Sequence, residues 1–245
     1  MKLIFKVLVL NMNIVFLLLA TANTTNAQVE HSSFTKLLQN HVSESGFVNY
    51  QKLKKNEALL DSYLNLLSAN TPKKTWTKNT KMAYLINLYN AYTLKLILLN
   101  YPVESIKDIG GILSSPFTSD FIPFNGEEIS LDDVEKGMLL KLNEPRVHFA
   151  INCASKSCPK LQNEAFEAET LEKQLETATK TFINSDLNKI SKNKLQLSKI
   201  FKWYASDFET ANQSIIDFIN KYTKTRINKE AEIDYLDYSW KLNGK

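Results

Sequence analysis

The segment RVHFAINCASKSCPKL, residues 146–161, holds the residue types best suited to chemistry in this 245-residue chain. It contains His148 and both cysteines of the chain, Cys153 and Cys158, each five positions after the last. Three kinds of site fit these side chains: a thiol nucleophile with a histidine base, a metal site, or a disulfide. The rest of the chain bears on which of the three is favoured.

A thiol nucleophile needs a base, and it needs a further group that orients the base or stabilises developing negative charge. Asn87 and Asn90 lie three positions apart on an apolar segment, so their amides share one helix face and are candidates for that role. In the alternative, favoured here, these buried amides fasten the segment to neighbouring backbone by hydrogen bonds. Asn152 and Glu135 are the candidate ligand-binding residues beside them.

The metal site is the least favoured of the three. His148, Cys153 and Cys158 could supply three ligands, but zinc sites usually pair cysteines two to four residues apart, and no fourth ligand is evident. No metal and no cofactor is therefore predicted. The chain also has no glycine-rich phosphate loop, no G-x-S-x-G elbow and no H-E-x-x-H motif.

The first 27 residues predict the compartment. Two lysines precede an apolar run, and small polar residues then lead to Ala27, which is the layout of a cleaved signal peptide. We expect a periplasmic or secreted single domain, residues 28–245, with no membrane segment after cleavage. Because exported cysteines usually oxidise where geometry allows, this prediction favours a disulfide between Cys153 and Cys158.

The charge pattern excludes one class of partner. The formal net charge is only +4, and the lysines are scattered along the chain. A nucleic-acid surface would need a concentrated basic face. A peptide or glycan is the kind of ligand we expect.

Hydrophobic periodicity predicts an α+β fold rich in helices. The segment 80–102 is apolar nearly all round, which is typical of a central buried helix. Shorter or more amphipathic helices are predicted at 31–40, 52–68, 165–184, 199–205 and 211–224.

A small, mainly antiparallel sheet is predicted beside the helices. Asn125-Gly126 is a strong hairpin signal, and 189–198 is a second candidate hairpin. The segment 146–152 is rich in β-formers and predicts a buried strand. Alternation along such a strand would place His148 and Cys153 on opposite faces.

Five ordered motifs resemble the domain of unknown function 547 family: YLINLYNAYTLKLI, ISLDDVEKGML, RVHFAINCASKSCPKL, LSKIFKWYASDF and IDYLDYSWKLN. The resemblance covers roughly residues 75–242. The chain departs from the family pattern at Lys136, where histidine is common, and at Ser239, where aspartate is common. Relatives that keep the first cysteine but lack the second imply that a disulfide is not the shared purpose of Cys153.

The order of a central helix followed by a strand that begins with histidine is also similar to transglutaminase-like and papain-like domains. In those folds a cysteine opens the helix, and no cysteine lies between residues 76 and 90. This similarity of architecture says little about function.

Two functional hypotheses remain. The first is a non-catalytic binding module with a polar face around His148 and a disulfide between Cys153 and Cys158. The second is a thiol-dependent hydrolase or acyl-transfer enzyme, with Cys153 as nucleophile and His148 as base. The predicted export and the predicted strand parity favour the binding module.

Overall fold

The computed structural model describes residues 29–111 and 115–245. The predicted signal peptide, residues 1–27, lies outside the described residues. The described part is an α+β structure with a buried central helix and small sheets, so the predicted fold class is confirmed.

Four helices form the first half of the structure: α1 (Ser32–His41), α2 (Tyr50–Lys55), α3 (Glu57–Ala69) and α4 (Lys78–Asn100). The helix predicted over 52–68 is interrupted at Asn56, which ends α2 and precedes α3. The Thr77 hydroxyl accepts a hydrogen bond from the backbone N–H of Thr80 and thereby caps the start of α4.

Helix α4 is the centre of the larger hydrophobic core. It is long and apolar enough to cross a bilayer, but 89% of the 18-residue apolar stretch that meets this criterion is buried inside the protein. α2, α3 and the π-helix Asp133–Leu139 pack against it. The nearly uniform burial of α4 explains why its sequence shows no polar face.

The first predicted hairpin is present. Strands β1 (Ile122–Phe124) and β2 (Glu127–Ile129) pair antiparallel across Asn125 and Gly126, whose φ angles of 54° and 87° fit a tight hairpin turn. The hairpin leads to Ser130, whose side chain and backbone exchange hydrogen bonds with Asp133. This capping box starts the π-helix.

The strand predicted at 146–152 is wrong. Residues Pro145–Phe149 form a 3₁₀-helix instead. Pro145 sets a helical φ at the first position, and the Glu144 carboxylate accepts a hydrogen bond from the backbone N–H of Arg146. These two helix-start signals override the β-forming composition, so the parity argument that separated His148 from Cys153 no longer applies.

The second half adds α5 (Leu171–Ile183), the hairpin β3 (Lys189–Ile190) and β4 (Lys194–Leu197), and three short helices before β5 (Glu232–Tyr235). The short helices are α6 (Ile200–Trp203), α7 (Ala205–Phe208) and α8 (Ile215–Asn220). β3 and β4 pair antiparallel, as predicted, while β5 lies parallel to β4. Phenylalanines from several elements form the core of this half: Phe149, Phe182, Phe201, Phe208 and Phe218.

Candidate functional site

The two cysteines lie in a tight loop after the 3₁₀-helix. Ala154 has a φ of +58°, a conformation that residues with a side chain seldom adopt. The Asn152 side chain supports this turn, since its oxygen accepts from the backbone N–H of Ala154 and its nitrogen donates to the carbonyl of Pro159. Asn152 therefore fixes the loop that carries the thiols.

The C-terminal segment braces the same loop. The backbone N–H groups of Lys156 and Ser157 donate to the carbonyls of Lys241 and Ser239, and the Ser239 N–H donates to the Ser157 hydroxyl at 2.8 Å. Ser239, where the chain departs from the family pattern, thus contributes a backbone contact. This pairing brings Tyr238 to the cysteines.

The sulfurs of Cys153 and Cys158 are 2.9 Å apart. Both are free thiols in this structure. The hydroxyls of Ser155 and Tyr238 each lie 3.2 Å from the Cys153 sulfur, and the Ser155 backbone N–H also donates to it. The backbone N–H of Cys153 in turn donates to the Cys158 sulfur. Cys153 is half-buried, whereas Cys158 is buried.

The surroundings move the pKa values of the two thiols apart. Hydrogen bonds, first from Cys158 and then from Ser155 and Tyr238, lower the pKa of Cys153 to about 7. Burial, followed by the neighbouring Cys153, raises the pKa of Cys158 well above its usual value. Cys153 is therefore the thiol that ionises first.

Glu135 is a buried carboxyl on the π-helix, an element that often occurs at functional sites. Tyr204 donates a hydrogen bond of 2.6 Å to Glu135, and Tyr89 donates a second. Burial raises the pKa of Glu135 despite these hydrogen bonds. Lys136 points to a different partner, because it forms an exposed ion pair of 2.6 Å with Asp132.

His148 is bonded to Asp207 and not to a cysteine. Its Nε2 lies 2.7 Å from the Asp207 carboxylate, and its ring packs 4.1 Å from the ring of Tyr204. Burial lowers the pKa of His148 although Asp207 opposes that change, so the neutral ring donates from Nε2. Among the described residues, no hydrogen bond joins His148 to Cys153.

These groups meet in one cleft of about 230 Å³. Its buried lining residues include Tyr89, Glu135, His148, Ile151 and Cys158. More accessible aromatic side chains complete it: Phe117, Trp203, Tyr204, Tyr238 and Trp240. The cleft therefore combines an ionisable interior with an aromatic wall.

Asn87 and Asn90 hold backbone rather than line the cleft. Asn87 exchanges two hydrogen bonds with the backbone of Phe166, at 2.8 and 2.9 Å. Asn90 donates to the carbonyl of Ala150 at 3.0 Å and accepts from the N–H of Asn152 at 2.8 Å. Both amides thus have the fastening role that the sequence favoured, and an orienting or oxyanion role for them stays a prediction.

In residues 29–111 and 115–245, no group of three or more histidine, cysteine, aspartate or glutamate side chains could hold a metal ion. The other two histidines of the chain have partners elsewhere. The Nδ1 of His31 lies 2.6 Å from the Tyr63 hydroxyl. His41 faces Asn56 at 3.4 Å.

Five residues that line the cleft were not among the sequence candidates: Tyr89, Trp203, Tyr204, Tyr238 and Trp240. Neither was Asp207, the hydrogen-bond partner of His148. A signal for most of them exists. Aromatic side chains are dense in FKWYASDF and DYLDYSW. Trp203 lies outside the helical spacing of Phe201, Tyr204 and Phe208, so it is a candidate for a binding wall rather than for the core.

Residues 73–183 match the model of the family described as "Protein of unknown function, DUF547". This match confirms, over that stretch, the resemblance to the family that is seen in the motifs. The match includes Glu135, His148 and both cysteines, and it ends before Trp203. No curated protein and no solved structure matches the chain. The similarity to transglutaminase-like and papain-like domains stays a prediction.

Proposed function

We propose that residues 28–245 form an exported, non-catalytic binding module that holds a peptide or glycan segment in the aromatic cleft. The observation that carries this proposal is the group of packed rings at its wall. Trp203 stacks on Trp240 at 5.9 Å, and Tyr238 packs against both at 4.8 and 4.7 Å. Trp203 is nonetheless 47% exposed. Exposed, rigid aromatic rings bind ligands with little loss of side-chain entropy.

The remaining parts of the site support binding. The buried Glu135, with its raised pKa, can present a carboxyl group to a ligand. A disulfide between Cys153 and Cys158, whose sulfurs are already adjacent, would brace the loop beside the wall.

Tryptophan fluorescence tests this proposal, because two of the chain's three tryptophans lie in the cleft. The purified protein is titrated with a panel of peptides and of soluble oligosaccharides. We expect a saturable change in fluorescence with at least one ligand. We expect Trp203→Ala to weaken the affinity for that ligand at least tenfold. Leu59→Ala is the control, since Leu59 is 61% exposed outside the cleft. The binding module would be contradicted if both variants lost affinity equally. It would also be contradicted if no peptide and no oligosaccharide gave a saturable change.

A second candidate is thiol-dependent hydrolysis or acyl transfer, with Cys153 as nucleophile. The hydrogen bonds that lower the pKa of Cys153 to about 7 favour it. The pairing of His148 with Asp207 weighs against His148 as the base. An activated thioester or ester assay decides: a burst of product that Cys153→Ser abolishes supports this candidate, and equal rates in both proteins reject it.

A further inference from the structure

The cysteine pair has the arrangement of a redox couple and not only that of a brace. Both cysteines line the cleft, but Cys153 is half-buried and Cys158 is buried, and their sulfurs are 2.9 Å apart. The hydroxyls of Ser155 and Tyr238 and the backbone N–H of Ser155 are bonded to the outer sulfur, Cys153, whereas the Cys158 sulfur accepts from the backbone N–H of Cys153. The outer cysteine is therefore equipped to leave as a thiolate, and the inner one is within reach to close a disulfide.

We infer that Cys153 and Cys158 act as a thiol–disulfide exchange pair that oxidises a dithiol peptide bound in the aromatic cleft. This activity goes beyond ligand binding and uses the same cleft as the proposed module. The substrate class is a peptide segment with two thiols, and the neighbouring rings of Trp203 and Tyr238 would hold its side chains.

The electrons balance as follows. A substrate thiolate attacks the Cys153 sulfur of the disulfide, forms a mixed disulfide and releases the Cys158 thiolate, which takes up a proton. The second substrate thiolate then attacks the substrate sulfur of the mixed disulfide and releases the Cys153 thiolate. Two electrons pass from the substrate dithiol, which becomes a disulfide, to the cysteine pair. A small disulfide such as glutathione disulfide returns the pair to its oxidised form.

The direction follows from the hydrogen bonds. Donors that stabilise the released Cys153 thiolate stabilise the reduced pair, and a stabilised reduced form makes a disulfide a stronger oxidant. The site also sets which sulfur is attacked. Cys158 is only 8% exposed whereas Cys153 is half-buried, so Cys153 is the sulfur that a substrate reaches more readily.

The direct test begins with the full purified protein, oxidised by glutathione disulfide and freed of it. A synthetic reduced dithiol peptide with an aromatic residue beside one cysteine is added. The mixture is quenched with acid and the thiols are labelled with maleimide for intact-mass analysis. We expect the protein to gain two labels while the peptide loses two hydrogens. If dithiothreitol reduces the disulfide between Cys153 and Cys158 only after the protein is denatured, the exchange activity is overturned. The binding proposal would remain intact.

The two cysteine variants test the order of attack. Reduced Cys158→Ser, mixed with the disulfide form of the peptide, should accumulate a mixed disulfide at Cys153. Reduced Cys153→Ser should form at least tenfold less, because the remaining thiol is buried. Equal adducts in both variants would overturn the assignment of Cys153 as the attacked sulfur.

The source of the oxidising character is tested in the equilibrium with glutathione. Tyr238→Phe removes one hydrogen-bond donor to the Cys153 thiolate. The equilibrium constant for oxidation of the cysteine pair by glutathione disulfide should therefore rise by about threefold to tenfold. Tyr235→Phe is the matched control on the same segment and should behave as wild type. If Tyr238→Phe also behaves as wild type, the proposed control of direction is wrong. Exchange without any saturable binding would instead reject the module and keep the redox pair.

Discussion

The molecule buries polar side chains in two regions, and it treats them differently. On α4, the amides of Asn87 and Asn90 bond to backbone groups on neighbouring loops. In the cleft, Glu135 and Cys153 are held mainly by hydroxyl and thiol side chains. The amides cannot titrate, whereas the pKa values of both cleft groups are displaced.

This difference separates a structural frame from a site. An amide that satisfies two backbone groups removes a desolvation cost and adds stability. The buried carboxyl retains a desolvation cost when it is charged, and the thiol with a lowered pKa retains reactivity. Displaced pKa values of this kind are typical of functional positions. The two regions meet at Asn152, whose backbone is held by Asn90 and whose side chain holds the cysteine loop.

The largest effect should come from the frame. Asn90→Ala leaves the Ala150 carbonyl and the Asn152 N–H buried without their partner, so we expect a loss of about 4 kcal/mol in the free energy of unfolding. Urea denaturation measures it. Asn100→Ala is the control on the same helix, because the Asn100 side chain bonds only within α4. Asn100→Ala should change the free energy of unfolding by less than about 0.5 kcal/mol. Equal losses in Asn90→Ala and Asn100→Ala would mean that Asn90 stabilises the protein no more than a surface asparagine does.

The second prediction concerns His148, a buried residue of the cleft. His148→Ala removes a ring that is 3% exposed and packed between Tyr204 and Phe208. We expect a loss of about 2 kcal/mol in the free energy of unfolding, measured in the same denaturation. Asp207→Asn keeps the ring and weakens only its hydrogen bond, so it should cost about 1 kcal/mol. Wild-type stability in His148→Ala would show that the residue has no packing role.

The sequence predicts the frame better than the cleft, for a physical reason. The apolar composition predicts the buried helix α4, and Asn125-Gly126 predicts the hairpin of β1 and β2. Both signals are local in the sequence. The bond between His148 and Asp207 joins residues 59 positions apart, and that between Cys153 and Tyr238 joins residues 85 apart. No local pattern reports such pairs. The wrong strand at 146–152 is different, since Pro145 was a local signal that β-forming composition obscured.

Glu135 should give a smaller effect, with the opposite sign to the frame. Because burial raises its pKa in the folded state, its contribution is favourable below the ordinary pKa of 4.5 and is lost as pH rises. Glu135→Gln keeps an acceptor for Tyr204 and should raise the melting temperature at pH 8 by roughly 2–4 °C, with little change at pH 4.

A second glutamate provides the control for that sign. The hydrogen bond from Arg146 lowers the pKa of Glu172, so Glu172→Gln should lower the melting temperature at pH 8 rather than raise it. If Glu135→Gln is also destabilising at pH 8, the carboxyl of Glu135 belongs with the frame and not with the site.

The last prediction concerns Cys153 and is measured by chemical reactivity rather than by unfolding. Its lowered pKa contributes stability that is complete above about pH 9, the ordinary value, and is lost as pH falls to about 7. The raised pKa of Cys158 acts in the opposite direction, but only above about pH 9, where its contribution to stability is lost as pH rises. The rate of carbamidomethylation of the reduced native protein, however, should rise with a midpoint near pH 7. A midpoint near pH 9 would mean that the hydrogen bonds to Cys153 do not stabilise its thiolate, and the cleft would then differ from the frame only in Glu135 and the aromatic wall.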